Sequence, residues 1–375
     1  MNKRLLFLQF VLFASTSLMA QMTAPLPAGE GHAGGSASSL TVGQESGSAE
    51  RKSTDRGSVV EQLKQNTSFG GYVIGKMSAT TRDDADVKAD MGVRLARLYV
   101  DTRIGDFAMK LQLHVSGSPL NKKENAVRLV DAWAEWQHWK ELRVKFGQFK
   151  RCFTFENPMH PWLLGRGTYS QLADQMAGYN DLTGEHASNG RDFGLQLQGD
   201  LFASQRDGHR WLHYQAGVYT GQGINHADRN TRKDVIGGLI VAPLPQLQVG
   251  LFGWTGNYVT DAGATVERRR YSAGLTYNGN WTARAEFAVE NGGVRADAWY
   301  AIVGTPTFHR TRLFAHYDVL RRGKSSAGAK SLYGLSAQHT LHPNFMLQAN
   351  YCFVDDHTAD DPHYHNVDLQ LYWRF

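Results

Sequence analysis

From Phe69 to Phe375 this chain sets apolar residues at alternate positions, with polar and charged residues between them, again and again. Within Phe107 to Ser116 the apolar set is Phe107, Met109, Leu111, Leu113 and Val115, while Lys110, Gln112, His114 and Ser116 take the other face. Successive side chains of a strand point to opposite sides, so a period of two means a strand with one apolar and one polar face. The alternation returns in Phe193, Leu195, Leu197; in Tyr271, Ala273, Leu275, Tyr277; and in Trp281, Ala283, Ala285, Phe287, Val289. It closes the chain in Phe345, Leu347, Ala349, Tyr351, Phe353 and in Val367, Leu369, Leu371, Trp373, Phe375.

Tracing the pattern predicts about sixteen strands, near 69–78, 92–103, 106–116, 126–138, 141–150, 191–202, 210–221, 234–242, 246–257, 268–278, 281–291, 296–304, 310–320, 331–341, 344–355 and 365–375. Each approaches the roughly 9 to 11 residues with which a tilted strand crosses a bilayer. None of the ten prolines falls inside a predicted strand, as a ladder that needs every N–H requires. The links after strands two, four, ten and fourteen are short, as in Gly279-Asn280, and those after one, five, seven and fifteen are longer. Short periplasmic turns and longer outer loops produce this asymmetry in a membrane barrel. Phe345 and Phe353 share one face eight residues apart, which at about 3.3 Å per residue and about 40° tilt is about 20 Å along the membrane normal. That approaches the height of an apolar band edged by aromatic girdles.

The predicted fold is therefore an all-β, closed antiparallel transmembrane barrel over residues 69–375. In lipid an unpaired strand edge would strand backbone groups without partners, and closure removes both edges. At about sixteen strands the interior is too wide for side chains to fill, so water enters it.

Residues 1–20 carry Lys3 and Arg4, the apolar run Leu5 to Phe13, and small residues up to Ala20, which reads as a cleaved secretory signal peptide. Residues 21–68 are rich in Gly, Ser and Ala, as in GEGHAGGSASS, and read as a flexible leader with room for a short helix around Val59 to Lys64. The mean hydropathy of −0.42 fits either a water-soluble chain or a barrel whose alternate residues stay polar. Loss of Lys3 and Arg4 lowers the net charge from +5 to +3 without any long basic run, so no nucleic-acid partner is expected. Two cysteines, Cys152 and Cys352, exclude a disulfide scaffold; in an oxidising compartment they are able to pair or stay free.

The segments VKFGQFKRCFTFEN (Val144 to Asn157), NGRDFGLQLQGDLF (Asn189 to Phe202) and LHYQAGVYTGQGINHADRN (Leu212 to Asn230) resemble the phosphate-selective porin O and P family. The final VDLQLYWRF resembles the terminal strand of outer-membrane proteins that the assembly machinery recognises. The resemblance implies a sixteen-stranded, homotrimeric outer-membrane porin in membrane lipid, passing small anionic solutes, phosphate among them, by arginines and lysines along the pore. Cys152 stands where the family usually has proline.

The longest link, about Arg151 to Gly190, is the third outer loop, and its Trp162, Leu163, Leu164 and Tyr169 favour folding into the pore over free solvation. On the alternation, the lumen-facing bases are Arg97, Arg103, Lys110, Arg143, Lys145, Arg270, Arg284, Arg312 and Arg374. They meet an equal number of acids: Asp101, Asp131, Glu135, Asp192, Asp200, Glu286, Glu290, Asp318 and Asp368. In the loop, Arg151 and Arg166 face Glu156, Asp174, Asp181 and Glu185, so charge counting alone does not support strong anion selectivity. The candidate solute-guiding residues are Arg143, Lys145, Lys150, Arg151, Arg166, Lys110 and Arg284, since guanidinium suits phosphate by its forked donors.

Asp355, Asp356, His357, Asp360, Asp361, His363 and His365 gather in the last outer loop but match no defined metal spacing. No G-x-S-x-G elbow, H-E-x-x-H or P-loop occurs, so neither an enzyme nor a cofactor is expected, although a barrel hydrolase could assemble a triad from distant strands. Two other readings stand beside the channel: a barrel with a plugged pore acting as a surface-binding or structural protein, and a secreted soluble β-protein that binds carbohydrate.

Overall fold

A computed structural model describes residues 59–82, 87–115 and 127–375. The predicted signal peptide, most of the predicted leader, and residues 83–86 and 116–126 lie outside the described residues. A short helix, α1 (Val59–Asn66), leads directly into the first strand. The strands are β1 (Thr67–Thr80), β2 (Lys88–Ile104), β3 (Phe107–Val115), β4 (Val127–Trp136), β5 (Arg143–Lys150), β6 (Arg191–Ala203), β7 (Arg210–Tyr219) and β8 (Asp234–Leu244). There follow β9 (Leu247–Val259), β10 (Thr265–Asn278), β11 (Thr282–Glu290), β12 (Ala296–Gly304), β13 (Thr311–Arg322), β14 (Ala329–His342), β15 (Phe345–Asp356) and β16 (His363–Arg374).

Each strand pairs antiparallel with its neighbours in sequence, and β16 returns to pair with β1, from Tyr72 opposite Arg374 to Thr80 opposite Asn366. Gly71 and Phe375 exchange two backbone hydrogen bonds of 3.0 Å at the seam. The ring therefore has no free edge, the one way a sheet can stand in hydrocarbon. Among the described residues no helix is long and apolar enough to cross a membrane.

Burial runs in the sense opposite to that of a soluble protein. Leu239, Leu251, Leu313, Leu335 and Leu371 are exposed, while Gln112, Asp131, Arg268, Arg270, Glu290 and Gln348 are buried. An outer face of leucine, valine and aromatics over polar inner positions suits lipid outside and a hydrated lumen inside.

The predicted prolines need one correction. Pro243 lies inside β8 rather than after it, where the pairing with β9 shifts register between Val241 and Leu244. A bulge interrupts the ladder, so a residue without an N–H costs nothing there. A second shift, where Gly75 and Ile74 of β1 face Val93 and Leu95 of β2, leaves Arg94 between them. Its guanidinium donates to Gln370 at 2.8 Å, so Arg94 joins Arg97 on the inner face, a placement that strict alternation forbids.

Candidate functional site

The segment between β5 and β6, residues 151–190, packs against the inner face of the wall. Its local signals are legible: His160 caps the 3-10 turn Pro161–Leu163 through its ring, with Pro161 at the first position. Ser170 caps the helix α2 (Gln171–Met176), its hydroxyl accepting from Ala173 N. Thr154 takes a left-handed φ of 68°, and its hydroxyl accepts from Asn157 N at 3.1 Å to close the turn.

One side of the segment is apolar and makes a dry core with the wall. Phe153, Phe155, Leu172 and Met176 meet Ile236, Ile240, Phe252, Trp254, Ile302 and Phe314. Phe155 stands edge-on to Phe252 at 5.3 Å, and an added Cβ on Gly250 would collide with its ring. Trp162 reaches across to Tyr372 at 5.8 Å, and His160 to Tyr72 at 4.5 Å. Leu164 is buried as its composition suggests, but Leu163 is half exposed.

The other anchor is ionic. Arg151 donates through Nη2 to Glu185 at 2.9 Å and to Asp192 at 3.0 Å. Arg268 on β10 holds Asp234 at 3.0 Å and also pairs with Glu185. Arg270 grips Asp181 through both terminal nitrogens at 2.7 Å and Glu290 at 2.6 Å. All three guanidiniums lie over the Trp254 ring, 4.6 to 5.2 Å from its centre, a stacking suited to a flat, weakly hydrated cation. Burial alone would pull the Arg151 guanidinium down, yet Glu185 and Asp192 hold it above its usual range. Burial likewise works against the Asp181 carboxylate, and Arg270 overcomes it to hold the carboxyl below its usual range.

The structure places the seven candidate solute-guiding residues in two groups. Arg151 and Arg166 have side-chain exposures of 0% and 2%, Arg166 being sealed against Asp318. Arg284, also buried, donates to the carbonyl of Leu164. All three guanidiniums hydrogen-bond within the protein, to the loop or to the wall against which it packs. Arg143, Lys145 and Lys110 keep exposures of 24%, 17% and 18%, beside Asp200, Glu135 and Asp101. Lys145 also lies over Trp133 at 4.3 Å and Lys110 over Tyr99 at 4.7 Å. Lys150 stands between the phenols of Tyr169 at 3.1 Å and Tyr179 at 2.9 Å, and donates to Asn157 O.

The predicted opposition of loop charges is met only at Arg151 and Glu185. Glu156 accepts from Ser170, Asp174 from Gln175 and Asn180, and Arg166 turns to the wall. The equal count of lumen acids and bases also separates in space. Asp192, Glu286, Glu290 and Asp318 are all buried where the loop docks; Glu286 accepts from Phe155 N at 2.6 Å and from Glu156 N at 2.9 Å. On β2 to β6, away from that docking face, Arg94, Arg97, Lys110, Arg143, Lys145, Lys150 and Arg191 stand with Asp101, Asp131, Glu135 and Asp200. Both cysteines are free: Cys152 is buried, its sulfur 3.4 Å from the Tyr219 hydroxyl, and burial pushes its thiol up to about 11. No group of three or more His, Cys, Asp or Glu among the described residues is arranged to hold a metal.

A closed sixteen-strand antiparallel barrel with an apolar outer belt and a charged inner wall is the architecture of outer-membrane diffusion porins. The chain belongs to the phosphate-selective porin O and P family, whose model matches residues 72–298. The fold is similar to that of an anion-selective porin from Comamonas acidovorans, with TM-score 0.62, 13% identity, and 82% of this chain and 99% of that one covered. It is also similar to OmpF of Salmonella typhi solved with daunomycin (TM-score 0.63, 12% identity, 83% and 98% covered). A trimer form of OmpT from Vibrio cholerae aligns over 83% of this chain and 100% of that one, at TM-score 0.57 and 12% identity. No curated protein matches the sequence.

Proposed function

We propose that this outer-membrane channel passes small hydrophilic anions, inorganic phosphate among them, through the space between the inner loop and the β2 to β6 wall. The observation that carries this is the sorting of the candidate cations: Arg151, Arg166 and Arg284, bonded where the loop docks, are sealed, and Lys110, Arg143 and Lys145, on one arc, remain open to water. A low-dielectric wall focuses the field of such groups and raises the local anion concentration. Passage is passive, set by pore width and lining charge. Trimeric assembly, export by a signal peptide cleaved near Ala20, and the likeness of the fold to an anion-selective porin complete the reading.

Reversal potential in a salt gradient tests it, first with chloride and then with added phosphate. Anion preference is expected, and replacing Arg143 and Lys145 by glutamine lowers it. Preference for cations in the native channel rejects the reading, and an unchanged ratio in the variant removes these two residues as its cause.

A further inference from the structure

The outer surface above β10 to β13 carries charge that the channel does not use. Arg268 and Arg270 point inward and are sealed, so alternation turns Arg269 outward beside Glu267, with Tyr271 one step below on the same face. On β12, Ala296 and Ala298 are buried inside, so Asp297 faces out. It accepts from Arg321 of β13 at Nε, 2.7 Å, and at Nη2, 2.9 Å. The Arg269 and Arg321 side chains stay 50% and 44% exposed, Arg269 donating through Nη2 to Glu267 and Arg321 through Nε and Nη2 to Asp297. The neighbouring links are tied together: Gly323 N donates to Arg295 O at 2.7 Å, and Lys324 Nζ donates to Asn291 Oδ1. Among the described residues no carboxylate pairs with Arg295 or Lys324. Four bases thus meet two acids along one rim.

Directly beneath runs an outward aromatic row, Trp299 to Tyr317 at 4.7 Å, Tyr317 to Tyr333 at 4.8 Å, and Tyr333 to Phe353 at 6.1 Å. Aromatic girdles sit at the headgroup level of a bilayer. One outward step along a tilted strand is about 5 Å along the membrane normal, so these cations stand where lipid phosphates stand. Four adjacent strands span about 14 Å, wider than one phosphate and suited to a headgroup with a phosphate at either end.

We propose that the outer rim of β10 to β13 docks a phosphorylated glycolipid of the outer leaflet, its phosphates bound by Arg269, Arg295, Arg321 and Lys324 and its acyl chains lying along the apolar wall. Arginine's fork matches phosphate oxygens, and a lysine adds a point charge. A zwitterionic lipid carries its own cation over its phosphate and gains less from the rim.

The test uses the purified full-length barrel in detergent and native mass spectrometry with three probes. These are a diphosphorylated glucosamine-disaccharide lipid, the same lipid with its phosphates removed, and phosphatidylcholine. The first is retained; the other two bind about a hundredfold more weakly, and the variant Arg269→Gln, Arg295→Gln, Lys324→Gln loses about a hundredfold for the first. Unchanged single-channel conductance and heat-shifted migration show that the variant barrel is intact, since these residues lie on the far side of the wall from the solute path. Equal retention of the phosphorylated and phosphate-free lipids, or an intact variant that binds as the native chain does, overturns the proposal. If the triple variant fails to fold, Arg295→Gln alone carries the test, because that side chain is exposed and without a carboxylate partner; a loss of about fivefold is expected, and no loss overturns it.

Discussion

The loop is held by few side chains, and each has an identifiable cost of removal. The buried Asp318 accepts from the buried Arg166 and from Gln171 N at 2.9 Å. Asp318→Asn leaves a buried guanidinium without its counter-charge, which costs about 3 to 5 kcal/mol at that anchor. The loop then samples undocked positions, so single-channel recordings show larger and noisier conductance than the native channel; a trace identical to the native one refutes this role. His160 gives a pH signature. Burial, then Arg97 and Lys150, push its imidazole from an ordinary 6.5 to about 3. Between those values the undocked ring takes up a proton that the docked ring refuses, so docking is fully stable above about 6.5 and weakens as pH falls toward 3. Trp162 fluorescence followed on acidification reports the undocking, and His160→Asn flattens that part of the titration.

Among the elements, the β4 and β5 pair shows how little room the wall leaves. Gly147 has φ +125°, and a Cβ there would lie 2.2 Å from Ala132 O, which is backbone and cannot yield. Gly147→Ala therefore forces the ladder apart at the strand that delivers the loop, at about 1 to 3 kcal/mol or more; a lower midpoint for loss of heat-resistant migration is the expected result. All sixteen strands were legible from alternation, because one face of each must meet lipid. Four things were not. Arg94 escaped because a bulge consumes one residue and reverses parity downstream of it. Pro243 entered β8 by the same device. The dry core beneath the loop was visible only as a break in the alternation, in the nearly continuous apolar runs Val235 to Ala242 and Ala298 to Val303. Such runs belong to strands covered on both faces. The inward Ile236, Ile240 and Ile302 were the sign that something packs there. The sealing of Arg151, Arg166 and Arg284 depends on contacts between residues more than a hundred positions apart in two of the three cases, which no local pattern encodes.

At the scale of the whole molecule the outer belt sets stability and the inner wall sets traffic, and the two can be perturbed separately. Leu251 of β9 faces lipid beside Leu239 of β8. Leu251→Arg places a charge in hydrocarbon at about 2 to 4 kcal/mol, and a urea titration of the barrel folded into vesicles should show that loss with ion preference unchanged. The seam between β1 and β16 has a further consequence. Every incomplete set of consecutive strands presents two borders of unmatched amides, and the partner that heals the first border is the sixteenth strand, made long after it. A half-built wall of this kind has nowhere to rest in lipid, so the polypeptide must be shielded in transit until both ends are in hand, and its insertion is all or nothing.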